Sequence, residues 1–282
     1  MRKRKRFGNA TAHVGGSGRA AGRLKIKVVN SQRELENLIN HINSLVPNSI
    51  IALDNETTSL DWWRDEEQLI SVNIGTIAGQ FCVPIFHPEA SWDDPEEVLD
   101  RLLGMIASNR KLRVVGHNFK FDALWYRKYG HFIQCYADTM LMSYVTDENQ
   151  RHALDECVWR EYSVRSWDVD LKVKQGKAGS LERDHAPYAC KDVFYTRALY
   201  FTYKPRINHE PGTRRIFQEL TMPAANMMVN MEWGGVYVDP KRIHDGKLYW
   251  EAERSKAMLE LTRLDPSDNS WKDKKTKTVK YG

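Results

Sequence analysis

Ile50-Ile51-Ala52-Leu53-Asp54-Asn55-Glu56 is the stretch on which the reading of the fold turns. Four apolar residues, two of them β-branched, predict a short buried strand, and the run ends abruptly in acid. Residues two apart in a strand point to the same side. Asp54 and Glu56 are therefore expected to aim at one point at the strand's end. Two carboxylates that close repel unless a cation lies between them.

Working outward, two more stretches repeat the pattern. Val114-Val115-Gly116 leads into Asn118-Phe119-Lys120-Phe121-Asp122, with Asn118 and Asp122 at the i, i+4 spacing of one helix face. Tyr188-Ala189-Cys190-Lys191-Asp192 follows Pro187, which suits the first position of a helix, and Tyr188 and Asp192 share a face by the same spacing. Each motif alone has an ordinary reading: an acidic turn, a helix cap with an incidental acid, a core tyrosine with a surface acid. All three in this order, each beside a strand end or helix start, suggest carboxylates gathered for divalent cations, a set suited to phosphodiester hydrolysis.

The intervening chain supports one α/β domain. Strands are predicted at Leu24 to Val29, Leu69 to Thr76, Gln80 to Ile85 and Leu112 to Gly116, with a hairpin turn at Gly79. Ser31 and Glu34 form a capping-box pattern before Leu35, Leu38, Ile39 and Ile42 at helical spacing. Further helices are expected at 95–107, 119–129, 138–146 (with Asp138 at the cap) and 152–162. The polar segment 166–180 reads as a mobile loop. Arg214 to Trp233 and Pro240 to Leu264 read as long helices, and Met222, Met227, Met228 and Met231 form a stripe expected in the core. Strands followed by alternating strand and helix predict a mixed sheet flanked by helices.

Composition sets the limits. The chain has 282 residues and a net charge of +5, yet residues 1–27 hold nine Lys or Arg and no acid, leaving the body mildly acidic. The basic tail 1–23 reads either as a nucleic-acid-binding arm or as a solvated extension. Cys82, Cys135, Cys157 and Cys190 form no CxxC pair, so free thiols in a reducing, cytoplasmic setting are expected. No 18-residue apolar run exists to span a membrane. Residues 265–282 are polar and Lys-rich and read as a second tail.

From about Ile50 to Leu264 the chain resembles the DEDD exonuclease superfamily, and within it the 3′→5′ proofreading domain of bacterial and phage family A DNA polymerases. The resemblance rests on Leu53 to Asp61, Gly116 to Asp122, Asp138-Thr139-Met140-Leu141, Tyr188 to Asp192 and Met231-Glu232-Trp233-Gly234-Gly235-Val236-Tyr237-Val238-Asp239-Pro240. It implies an RNase H-like fold over 24–210, a helical thumb-like extension over 211–264, and two Mg²⁺ or Mn²⁺ ions. Asp54 would bridge both ions, Glu56 and Asp192 would support the first, and Asp122 would hold the second, largely through water. Tyr188, four residues before the last acid, marks the tyrosine subtype and would orient the attacking water; its ordinary pKa of about 10 makes it a poor general base. Leu60 would wedge beside the terminal base and Asn118 would contact the terminal nucleotide. Phe121 would floor the sugar. Trp62 and Trp63 either stack on single-stranded bases or pack a loop. The implied substrate is a single-stranded DNA 3′ end. The chain is too short for a polymerase, which leaves three readings: a split polymerase, a fragment of one, or a stand-alone nuclease. The Lys-rich ending after Asp265 favours the first, with a separate polymerase chain docking on 211–264 as the expected partner. An RNase D-like RNA exonuclease and a non-catalytic DNA- or polymerase-binding module are the alternatives.

Overall fold

The central strand β2 (Ser49–Thr57) runs on through both acids in the computed structural model, which describes residues 24–167 and 179–264. The expectations for the basic tail, for the Lys-rich end and for most of the loop 166–180 fall outside the described residues.

β2 pairs antiparallel with β3 (Leu69–Gly75) and parallel with β5 (Leu112–Gly116). β4 (Gln80–Pro84) returns beside β3 through the Gly79 turn. β1 (Ile26–Val28) and β6 (Ala137–Asp138) close the edges, giving the mixed order β1-β4-β3-β2-β5-β6. Ile51, Ala52 and Leu53 are fully buried, as the apolar run predicts.

Nine α-helices are described. α1 (Gln32–Asn43), α2 (Pro95–Ser108), α3 (Lys120–Lys128), α4 (Thr139–Thr146) and α5 (Leu154–Tyr162) agree with the sequence spacing to within two residues. The capping box at α1 is a variant. The Ser31 hydroxyl accepts from the Glu34 amide, but the Glu34 carboxylate takes its backbone bond from Asn30, one residue earlier. Asp138 caps α4 by accepting from the amides of Met140 and Leu141.

α6 (Ala186–His209) crosses the sheet and touches β1 through β5. A π-helical turn at Leu181–His185 leads into it, and Pro187 stands among the first positions of the α-helix, as its sequence suggests. A small apolar cluster of Cys82, Leu181, Ala186 and Cys190 pins this beginning to β4. Gly75 lets the helix approach closely: a Cβ there would lie 2.8 Å from the Val193 carbonyl oxygen. That contact seats the turn of α6 immediately after Asp192 on the sheet.

The long helix expected over Arg214 to Trp233 forms as one unbroken helical path, made of α7 (Pro211–Arg215), a π-helical stretch at Ile216–Thr221 and α8 (Met222–Gly234). The methionine stripe divides. Met222 is buried, but Met227, Met228 and Met231 are each more than half exposed, because α8 rests on the domain through Met222 and Val229 instead. Phe217 is also buried, and the described residues up to Trp233 form one compact unit. A second unit starts at Gly234, and its described part, residues 234–264, is mostly the 25-residue α9 (Pro240–Leu264). No described helix is long and apolar enough to cross a membrane, and all four cysteines are buried free thiols.

Candidate active site

Asp54 and Glu56 lie two apart on β2, opposite Asn73 and Ser71 of β3, before a register shift at Thr57. Asp192 comes down from the first turns of α6. One carboxylate oxygen from each of Asp54, Glu56 and Asp192 lies within 4.8 Å of the others. Such a set of hard oxygen donors fits a divalent cation of the Mg²⁺ or Mn²⁺ kind. The electrostatics agree. Burial lifts the Asp54 pKa from 3.8 to about 7, against a hydrogen bond from Asn73 that lowers it.

Asp122 stands outside this triad but close behind it. It is buried in the first turn of α3, and its Oδ1 accepts the Asn55 amide at 2.9 Å. Burial raises its pKa well above the usual carboxylate range, and the charge of Asp54 raises it further. The four acids that the sequence singles out thus surround the end of β2 from two elements besides it.

Asn118 does not share a helix face with Asp122. It precedes α3 and adopts a left-handed backbone, φ 58°, which Asn tolerates better than most residues. Asp138 fixes this turn, its two oxygens accepting the amides of Asn118 at 3.1 Å and Phe119 at 2.8 Å. Gly116 completes the reversal, because a Cβ there would meet three atoms of the Phe119 side chain at 2.4 to 2.8 Å. Asp138, expected only as a helix cap, therefore also sets the approach to Asp122.

Tyr188 lies one turn before Asp192 on α6, half-buried against the core. Leu60 and Trp63 are largely exposed, Asn118 is exposed, and Phe121 is half-buried. Trp62 packs inward and stacks on Trp233 with ring centroids 4.9 Å apart.

Three supports have no counterpart in the sequence expectations. Trp167 donates its indole N–H to Asp192 Oδ1 at 2.8 Å and stacks on Tyr195. It lies in the segment read as a loop, where a lone tryptophan among polar residues is itself a signal for burial. The second support is Asn73, donating to Asp54 Oδ2 at 3.3 Å. The third continues from it: Ser71 Oγ donates to Asn73 Oδ1 and bonds His185 Nε2 at 2.8 Å. Burial pulls His185 down to about 4, so the ring is neutral near pH 7, and Nε2–H is the donor to Ser71 in that chain.

Carboxylates from a central strand and a crossing helix, meeting over an RNase H-like mixed sheet, place the molecule among the DEDD-type nucleases. Residues 26–207 match the 3′-5′ exonuclease model of the family A DNA polymerase type, and the chain belongs to that family. It is 26% identical over 220 residues to DNA polymerase I of Borreliella burgdorferi, covering 77% of this chain and 23% of that protein. It is 25% identical over 238 residues to the DNA polymerase of Escherichia phage T5, covering 75% and 26%. The chain thus spans about a quarter of the length of these relatives. Among solved structures, Escherichia coli RNase D, an exoribonuclease involved in structured RNA processing, aligns with a TM-score of 0.54 at 16% identity, covering 74% of this chain and 51% of that one. That likeness speaks for the fold.

Proposed function

We propose that the protein removes nucleotides one at a time from single-stranded DNA 3′ ends, as the proofreading activity of a family A polymerase system. The observation that carries this reading is the convergence of Asp54, Glu56 and Asp192 within 4.8 Å at the end of β2. In this reading Asp54, Glu56 and Asp192 hold one divalent ion, and Asp54 with Asp122 holds a second. Bound Mg²⁺ or Mn²⁺ supplies Lewis acidity toward the scissile phosphate and lowers the pKa of water.

The chain's own residues do the positioning. Tyr188 orients the attacking water by hydrogen bonding. Asn73 and Trp167 hold the Asp54 and Asp192 oxygens in place. Leu60, Asn118 and Phe121 contact the terminal nucleotide, and Trp63 offers an exposed face to a base. The position of Tyr188 four residues before Asp192 supports the tyrosine subtype. A DNA polymerase module engaging 211–264 is the partner this role calls for.

The test is stepwise shortening of a 5′-labelled oligonucleotide from its 3′ end with Mg²⁺, abolished by EDTA and by Asp54→Ala. Undiminished hydrolysis by the pure variant sinks the site assignment. The RNase D-like fold favours one other substrate, an RNA 3′ end. Parallel assays on DNA and RNA oligonucleotides decide between them, and faster cleavage of RNA overturns the DNA reading. Gel filtration with the cognate polymerase tests the partner.

A further inference from the structure

α6 carries more than Asp192. Beyond the acid it presents Arg197, Tyr200, Phe201 and Lys204 to the opposite end of the sheet, where β2 and β5 begin. From Ile50 at that end to Asp54 at the acids is about 13 Å of strand at about 3.3 Å per residue. A cavity of about 660 Å³ lies there, between α6, the start of β2, Arg113 and Tyr136. An adjoining cavity of about 1060 Å³ shares Arg113, Tyr136, Tyr200 and Lys204 and adds Arg110.

The lining has an unusual charge balance. Arg113, Arg197 and Lys204 face the smaller cavity, and no Asp or Glu lines either one. None of these cations, nor Arg110, forms a salt bridge among the described residues. Their contacts are aromatic instead. Arg113 lies 5.4 Å from the Tyr136 ring, Arg197 4.9 Å from Phe201 and Lys204 5.5 Å from Tyr200. Arg197 also donates to the Ile50 carbonyl, and burial without a counter-charge lowers its pKa. An arginine held partly buried with no carboxylate beside it is costly unless an anion arrives.

Phosphate suits the cations, since a guanidinium fork matches its oxygens. Tyr136 and Phe201 line the smaller cavity and keep 44% and 46% of their surface exposed beside their cation contacts, which leaves ring surface for a planar base. The volume falls within the range of small-molecule sites. We propose that this cavity is a second nucleotide site, taking a phosphate on Arg113, Arg197 and Lys204 and a base against Tyr136 or Phe201. The nucleotide comes either free, as a nucleoside monophosphate, or as part of a strand. The proposal does not depend on the hydrolytic reading, because the site shares no residue with the acids.

The experiment uses the full chain in EDTA, which keeps the acids free of metal. Calorimetry measures binding of dAMP, inorganic phosphate and an eight-nucleotide oligo-dT to the wild type and to Arg113→Gln/Lys204→Gln, with thermal unfolding as the fold control. The expected result is saturable binding of dAMP or the oligonucleotide, at least tenfold tighter than phosphate and weakened at least tenfold in the variant. Tighter dAMP identifies a free nucleotide as the occupant, and tighter oligo-dT a strand. Absence of saturable binding, an affinity for both dAMP and oligo-dT no higher than for phosphate, or affinity unchanged in a folded variant overturns the proposal.

Discussion

Replacing Asp54 with Asn is expected to abolish hydrolysis and yet to stabilise the metal-free protein. The reason is the carboxyl's environment. Burial raises its pKa from 3.8 to about 7, so the folded state binds a proton more tightly than the unfolded chain does. The sign follows from linkage. Between the two pKa values the folded state carries more protons, so stability falls as pH rises from about 4 toward 8. At about 1.4 kcal/mol per tenfold change, the full displacement corresponds to about 4 kcal/mol at pH 8. Asp54 keeps some solvent contact, which screens the penalty, so the expected gain for Asp54→Asn is about 2 kcal/mol. The Asn73 donor retains an acceptor in the variant. For a domain of this size that gain raises Tm by about 4–8 °C. Thermal unfolding in EDTA at pH 8 and pH 4.5 measures it, and the difference should shrink toward zero at the lower pH, where the wild-type carboxyl is protonated in the folded state. With Mg²⁺ the order reverses, because the wild type gains about 2.7 kcal/mol at a hundredfold excess over Kd. A variant no more stable than wild type at pH 8 in EDTA, or a gain equal at both pH values, refutes the reasoning.

Four further outcomes follow from the geometry. Trp167→Phe removes the bond to Asp192 and keeps the stack on Tyr195; Mn²⁺ affinity by calorimetry should fall about tenfold, as expected for a lost ligand-orienting partner. Tyr188→Phe should lower kcat about 100-fold with Mn²⁺ affinity unchanged, since misplacing a reactant by about 1 Å costs that much. Gly116→Ala forces a methyl into the buried Phe119 side chain and should lower stability by about 2 kcal/mol in urea unfolding. Trp63→Ala should weaken oligonucleotide binding by about 1–3 kcal/mol per lost stack, whereas Trp62→Ala, which breaks the stack on Trp233, should lower Tm first.

What the sequence disclosed was local. Ile50 to Glu56 writes strand, burial and acid placement into seven consecutive residues, and β2 forms there because each preference agrees. The helix caps and the Gly79 hairpin are equally short-range signals. What stayed hidden was pairing across distance. Trp167 meets Asp192 across 25 positions, Asp138 meets Asn118 across 20, and His185 meets Ser71 across 114. No local pattern encodes such partners. The i, i+4 spacing of Asn118 and Asp122 misled because one left-handed residue ends helical periodicity, and spacing does not register the backbone's hand. The methionine stripe misled for a related reason: helical spacing marks a face but does not say which face a neighbour covers.

The supports of the acids share one property. Asn73, the Asn55 amide and the Trp167 indole are all neutral donors, and among the described residues neither Asp54 nor Asp122 forms a salt bridge. A lysine beside Asp54 would relieve its raised pKa and stabilise the fold, but it would also occupy the place of the cation the carboxylates are arranged to receive. Neutral donors aim the oxygens of Asp54 and Asp122 without bringing a positive charge to them. Among the described residues, then, Asp54 and Asp122 at one end of β2 lack a salt bridge, and so do Arg113, Arg197 and Lys204 at the other. A phosphate-bearing ligand finds no positive side chain beside Asp54 or Asp122 among the described residues and finds three at the second end. In EDTA, then, any residual nucleotide affinity should be sensitive to salt and to the far cations, and insensitive to Asp54→Asn.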